Sequence, residues 1–245
     1  MPEHSGTWSG LDVERESFDL LGFSPAYPLA DPDRASSVVA TYDFTQQHRH
    51  NPHVDNARVV ELLQDPMLET VIERLCGPGY LLWRSAFFAK STGVGEIGWH
   101  HDKHFQDGDA DVQYDGLHSH ISVFFGLTEV TQRNGMLELI PGTHRPVDGL
   151  ERDVRPFHLR PLTEHILDNL NEQFLRYKRA LPVPAGSFVV FHSSILHRSV
   201  AHAGGSQRLG LAIRLVKGDK VIPDALADAV TDVRAFPLRS AEAAE

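Results

Sequence analysis

Between Asn56 and Cys76 the apolar residues Val59, Leu62, Leu63, Met67, Leu68, Val71, Ile72 and Leu75 recur at spacings of three and four. That is the period of one helix face. Asp65-Pro66 interrupts the run. Proline suits a first helical turn and disfavours helix just before itself. The pattern therefore predicts two helices, over about 57–64 and 66–75, ended by Gly77-Pro78-Gly79. From Tyr80 the character changes. Tyr80–Lys90 is rich in aromatic and aliphatic residues and reads as a strand. Ser119–Thr128, Gly135–Ile140, Ser187–His192 and Leu209–Val216 read the same way. Turn chemistry separates them at Asn134-Gly135, Pro141-Gly142 and Pro184-Ala185-Gly186.

Several strands with no regular helix between them argue against a parallel α/β fold. They favour a mainly β protein with flanking helices, built as an antiparallel double-sheet barrel or jelly roll. Two further helices are expected, over Leu162–Tyr177 and Pro223–Val233. Residues 1 to about 35 carry little periodicity and read as a wrapped arm; 36–56 read as a polar loop with solvated His48, His50 and His53. One domain is expected over 1–245, with arm and helices (1–79) packed on a core (80–217) followed by a tail (218–245). No internal repeat or heptad pattern is present.

Composition narrows the classes. A net charge of −10 argues against a general nucleic-acid binder, which needs a basic face for phosphate. No apolar run reaches the roughly 18 residues that span a bilayer. Residues 1–10 lack the basic and apolar regions of a signal peptide. Cys76 is the only cysteine, so no intrachain disulfide forms, and a cytoplasmic location is expected. The unusual number is 15 histidines, which supply both candidate metal ligands and many false ones.

The candidate chemistry starts at Gly98-Trp99-His100-His101-Asp102. On an extended backbone, residues i and i+2 share a face, so His100 and Asp102 can address one ion from one strand end while His101 faces away. Phe191-His192-Ser193-Ser194-Ile195-Leu196-His197 follows a second apolar run. If His197 meets His100 and Asp102, two imidazoles and a carboxylate with open positions would mark a non-heme Fe(II) site. Rival patterns exist. His100 and His104 would share a helix face as zinc pairs do, but Glu does not follow His100 as the zinc hydrolase motif requires. His118 and His120 form another i, i+2 pair, expected at the lip of a strand, and His192 and His202 rival His197. Arg208 opens the last apolar strand, where its planar fork could hold a dicarboxylate.

Taken together, Phe88–Asp102, Phe125–Thr128 with Asn134–His144, and Gly186–Arg208 resemble, in order and spacing, the phytanoyl-CoA dioxygenase-like family of Fe(II)/2-oxoglutarate oxygenases. The resemblance covers roughly residues 80–217 and implies a double-stranded β-helix core. It implies that His100, Asp102 and His197 bind iron, that Arg208 holds the far carboxylate of 2-oxoglutarate, and that Ser199 assists it. It implies Fe(II), 2-oxoglutarate and O2 as cofactors, with succinate and CO2 released as a substrate is hydroxylated. Asn134-Gly135 and Pro141-Gly142-Thr143-His144 belong to the resemblance but read physically as turns, with His144 a minor site candidate. Related halogenases carry a small residue where this chain has Asp102, so hydroxylation or another oxidation is expected rather than halogenation.

The expected partner is a small-molecule substrate, a metabolite or natural-product intermediate, with no nucleic acid and no membrane. The stretch His104–Asp115 holds four aspartates and should line the mouth of the site, with His104, Phe105 and Tyr114 as candidate pocket walls. Those aspartates could favour a cationic or amine-bearing substrate, but a solvated loop is the stronger reading. No basic cluster argues for a CoA thioester. Desaturation, epoxidation or ring formation would use the same cofactors. A zinc hydrolase or a non-catalytic jelly-roll binding protein are the readings from other classes.

Overall fold

A computed structural model describes residues 10–46, 48–103, 117–148, 172–220, 222 and 233–238. The helices are α1 (Gly10–Leu21), α2 (Asp33–Thr41), α3 (Pro52–Asp55), α4 (Ala57–Leu63), α5 (Pro66–Cys76) and α6 (Glu172–Leu175). The strands are β1 (Tyr27–Pro28), β2 (His48–His50), β3 (Tyr80–Lys90), β4 (Ile97–His100), β5 (His120–Gly126), β6 (Leu137–Leu139), β7 (Arg179–Leu181), β8 (Ser187–His192), β9 (His197–Ser199), β10 (Arg208–Lys217) and β11 (Arg234–Phe236). No helix among the described residues is long and apolar enough to cross a membrane.

Two antiparallel sheets form the jelly roll. The larger runs β1-β8-β5-β10-β3-β11, with β2 also on β3; the smaller runs β4-β9-β6-β7. Strand alternation decides which side chains go where. On β10, Leu209, Leu211, Ile213 and Leu215 face outward, into a core shared with Val59, Leu62, Leu63, Leu68, Val71, Ile72 and Leu75 of α4 and α5. Ala212 faces inward, toward Phe124, Val189, Phe191, Leu137 and Leu139 between the sheets. The α4–α5 break is as the sequence predicts. Asp65 caps α5 by accepting from Met67 N at 3.0 Å, and Pro66 occupies its first turn. The same carboxylate accepts from Ala30 N and Asp31 N, so one side chain ends a loop and starts a helix.

One irregularity matters for function. Arg214 pairs with Arg84 but Leu215 pairs with Leu82, so Trp83 is an extra residue on β3. Such a bulge resets the in–out alternation and re-aims a side chain. Beyond it Arg84, Ala86, Phe88 and Lys90 share the inner face, while Phe87 and Ala89 join the outer core.

The N-terminal expectations need correction. Residues 10–21 and 33–41 are helices rather than an unpatterned arm. Phe18, Ala35 and Val38 bury on the outer face of the sheet. Their few apolar positions gave weak periodicity, and packing on a ready-made sheet supplies what propensity does not. His53, expected to be solvated, is buried, with Nδ1 2.6 Å from Ser85 Oγ. Of the helix expected over 162–177, residues 172–175 are helical and 162–171 lie outside the described residues, as does nearly all of 223–233.

Candidate metal centre

The register of β4 against β9 sets His100 directly opposite His197. Their ring centroids are 4.2 Å apart and the planes are inclined by 50°. The chain then leaves β4, and Asp102 N and Lys103 N both donate to Ser193 O, at 2.7 and 3.0 Å. This double anchor turns the Asp102 carboxylate toward the two rings. Oδ1 lies 3.9 Å from His100 Nε2, and Oδ2 lies 3.6 Å from His197 Nε2. One ligand atom from each of the three residues lies within 4.8 Å of the others.

Each imidazole is oriented by a backbone carbonyl. His100 Nδ1 is 2.7 Å from Gly98 O, and His197 Nδ1 is 3.0 Å from Ile195 O. A carbonyl only accepts, so both Nδ1 atoms carry the proton and both Nε2 atoms present lone pairs. Burial pushes His100 down to about 3, reinforced by His197, and burial likewise lowers His197. Both rings are therefore neutral at physiological pH, the protonation state a metal requires. The gaps of 3.6 and 3.9 Å exceed a hydrogen bond and suit an ion that holds each donor at roughly 2.0–2.2 Å.

A second set, Asp19, His118 and His192, also brings three donor atoms within 4.8 Å. Its chemistry differs. His118 Nε2 already hydrogen-bonds Asp19 Oδ1 at 2.5 Å. The His118 and His192 rings stack at 21°, and His144 stacks on His192 at 10°. Stacked rings send their in-plane lone pairs along neighbouring lines rather than to one point. This cluster ties α1 to the sheet, and His144 adds to it through Nε2, 2.9 Å from Asp19 O.

Behind the first set lies a cationic recess. Arg208 and Lys90 are paired in register on β10 and β3. The Arg208 guanidinium donates to Ser199 Oγ at 3.0 Å, to Phe88 O at 3.3 Å and to Gly135 O. Lys90 Nζ donates to three carbonyls, of Gly95, Ser199 and Val200. Neither cation has a carboxylate within ion-pair distance among the described residues. Burial pushes Arg208 down to about 10, and burial with Arg208 alongside pushes Lys90 down to about 7. Two buried cations without a counter-ion are costly unless an anion joins them.

Gly135 makes this recess possible. Its φ of 101° favours glycine, and a Cβ there would stand 2.7 Å from Lys90 Cδ and 3.0 Å from Val200 O. Gly135→Ala is expected to destabilise the fold by about 1–3 kcal/mol and to displace Lys90. Thermal unfolding of the variant beside wild type checks this.

The remaining candidates separate cleanly. Ser199 touches Arg208 as described. His192 lies in the stacked cluster, and His202 Nε2 is 2.9 Å from Ser206 O, so neither joins His100 and Asp102. His120 Nδ1 is 3.2 Å from Ser119 Oγ, while His118 pairs with Asp19, so among the described residues the His118/His120 zinc pattern does not assemble. Asn134 acts as a turn residue, accepting from Thr131 N at 2.7 Å and donating to Glu129 O at 2.8 Å. His101 is buried outside the donor set. His104, Phe105 and Tyr114 lie outside the described residues. Sequence reasoning missed Lys90, Arg84 and Arg214. Their signal was there: a charged residue inside an otherwise apolar strand needs a partner on the buried face.

The family model for phytanoyl-CoA dioxygenase (PhyH) matches residues 26–210. The chain belongs to the phytanoyl-CoA dioxygenase family. Phytanoyl-CoA dioxygenase domain-containing protein 1 of Danio rerio is 23% identical over 193 residues. That match covers 78% of this chain and 63% of the relative, so the chain spans under two thirds of the relative's length. Among solved structures, the epimerase SnoN in complex with Fe3+, alpha ketoglutarate and nogalamycin RO superposes with a TM-score of 0.70 at 14% identity, covering 94% of this chain and 93% of that one. CytC3 with Fe(II) and alpha-ketoglutarate superposes with a TM-score of 0.57 at 21% identity, covering 94% and 80%. These likenesses establish the jelly-roll fold. Membership of the phytanoyl-CoA dioxygenase family makes Fe(II), 2-oxoglutarate and O2 the cofactors the site has to accommodate.

Proposed function

We propose that this protein is an Fe(II)/2-oxoglutarate-dependent dioxygenase that hydroxylates a small metabolite or natural-product intermediate, releasing succinate and CO2. The observation that carries the proposal is the convergence of His100 Nε2, His197 Nε2 and the Asp102 carboxylate, two neutral imidazoles and one anion, beside a recess with two cations. His100, Asp102 and His197 would hold Fe(II). Arg208 would grip the distal carboxylate of 2-oxoglutarate, with Ser199 fixing the guanidinium and Lys90 adding charge. When bound, the iron and 2-oxoglutarate supply the oxidising chemistry with O2. The protein orients the two imidazoles through Gly98 O and Ile195 O, keeps them unprotonated by burial, and lines the interior with Phe88, Phe124 and Phe191, which exclude water.

Mixing anaerobic protein with Fe(II) and 2-oxoglutarate is expected to produce a metal-to-ligand charge-transfer absorption, and O2 is expected to release succinate. Absence of the band from wild-type protein would overturn the reading, as would zinc-supported turnover indifferent to 2-oxoglutarate. Mass spectrometry of candidate substrates separates a gained oxygen from a lost hydrogen pair.

A further inference from the structure

We propose that Arg84 and Arg214 form a binding site for an oxyanion of the substrate, a carboxylate or a phosphate monoester, next to the metal centre. The inference rests on the Fe(II)/2-oxoglutarate reading and adds the class of molecule that reaction acts on.

The argument begins with register. Arg84 and Arg214 are directly opposed on β3 and β10, and the Trp83 bulge turns Arg84 to the inner face that Arg214 already takes by the alternation of β10. Like charges directly opposite each other destabilise a strand pair, and interior positions are the worst place for them. One carboxylate offsets the pair: Arg214 Nη2 donates to Asp102 Oδ1 at 2.6 Å. Arg84 has no hydrogen bond or ion pair among the described residues. Its guanidinium is held below its ordinary pKa by burial first and by Arg214 second, with Asp102 acting the other way. A half-buried guanidinium with a like-charged neighbour and no acceptor among the described residues has donors to spare for an anion.

Asp102 cannot complete it. Its Oδ1 is taken by Arg214, and both oxygens face the two imidazoles. Across β10 the same row continues to Ser122, which is opposite Arg214 and whose Oγ lies 2.9 Å from Ser193 Oγ. The row thus offers two guanidiniums and a hydroxyl pair, a donor-rich surface matched to an oxyanion. Its place is separate from the Arg208 recess. Arg208 and Arg214 lie on one strand with Gly210 and Ala212 between them on the inner face, a separation of about 20 Å at the ordinary strand rise. One end suits the cosubstrate's far carboxylate. The other, beside Asp102, suits a group on the molecule being oxidised. Arg84 would be the grip, and Arg214 would share the anion while holding Asp102 in position.

The test uses wild type, Arg84→Gln and Arg84→Lys, each saturated with 2-oxoglutarate. The charge-transfer band with Fe(II) first reports the cofactors, so failure of the cofactor reading shows before any probe is added. Zn(II)-substituted protein is then titrated with matched probes, phenylacetate against its methyl ester and phenyl phosphate against phenol, with binding read by saturation-transfer NMR. The acids are expected to bind about 10- to 100-fold more tightly than their neutral partners. Arg84→Gln is expected to remove that preference and Arg84→Lys to keep part of it. The half-saturation for 2-oxoglutarate, read from the band, should shift less than about two-fold in either variant. Equal binding of acid and neutral probes, or binding of none, overturns the proposal, as does a preference that survives Arg84→Gln. A matching loss of 2-oxoglutarate affinity in Arg84→Gln also overturns it, by assigning Arg84 to the cosubstrate instead.

Discussion

Asp102→Ala is expected to abolish the charge-transfer band and succinate release in halide-free buffer, a loss larger than the roughly 100-fold that removing a mere supporting partner of a ligand costs. The same change should lower the stability of the metal-free protein. Asp102 is buried and its Oδ1 receives Arg214 Nη2 at 2.6 Å. Removing one partner of a buried ion pair costs about 3–5 kcal/mol, because the other charge is left without compensation. Arg214 retains some solvent contact, which favours the lower end, but Arg84 directly opposite adds repulsion that Asp102 had offset. The two effects separate in the double variant. Asp102→Ala with Arg214→Met should recover most of the lost melting temperature and none of the band. A band retained in Asp102→Ala would remove Asp102 from the ligand set. A double variant as unstable as the single would show that the ion pair is not the source of the loss.

That dual role explains how far the sequence could be read. The i, i+2 spacing of His100 and Asp102 was visible because spacing is local, although β4 ends at His100 and the anchors on Ser193 O, not strand alternation, aim Asp102. The jelly roll was legible for the same reason: β3 and β8 keep the bounds that their apolar runs predict. What lay hidden depends on pairing between distant strands. Arg84 and Arg214 become neighbours only through the β3–β10 register, and Arg84 turns inward only because Trp83 is an extra residue. No run of basic residues in the chain announces them, because Arg84 and Arg214 are 130 positions apart and meet only in the folded sheet. The helices α1 and α2 were missed because their order comes from tertiary packing, Phe18 and Val38 against a sheet formed by residues far downstream.

Arg208→Met is expected to raise the half-saturation for 2-oxoglutarate by about 10- to 100-fold, the worth of a charge-assisted fork on a carboxylate. Little loss of stability should accompany it. In the metal-free protein Arg208 is a buried cation whose acceptors are the neutral oxygens of Ser199, Phe88 and Gly135, so wild type already bears the cost of an uncompensated charge. Methionine fills much of the same volume and removes that charge, at the expense of leaving those acceptors without a donor. The melting temperatures without ligand should therefore lie close together. Saturating 2-oxoglutarate should raise the wild-type value and leave the variant nearly unmoved, since ligand stabilisation follows RT ln(1 + [L]/Kd). Lys90 gives the residual binding a pH dependence. Held down to about 7, it is charged below that pH and neutral above, so its contribution fades as pH rises through 7 while that of Arg208 persists to about 10. In the variant the repulsion from Arg208 is gone, so Lys90 should titrate above its wild-type value, and the remaining affinity should fade only as pH rises past 7. A monocarboxylate such as 2-oxobutanoate tests the assignment of Arg208 to the far carboxylate. Wild type should discriminate strongly in favour of 2-oxoglutarate, and Arg208→Met should keep only the weak preference that charged Lys90 supplies. Equal loss of affinity for both oxo acids would place Arg208 at the near end of the cosubstrate or outside its site.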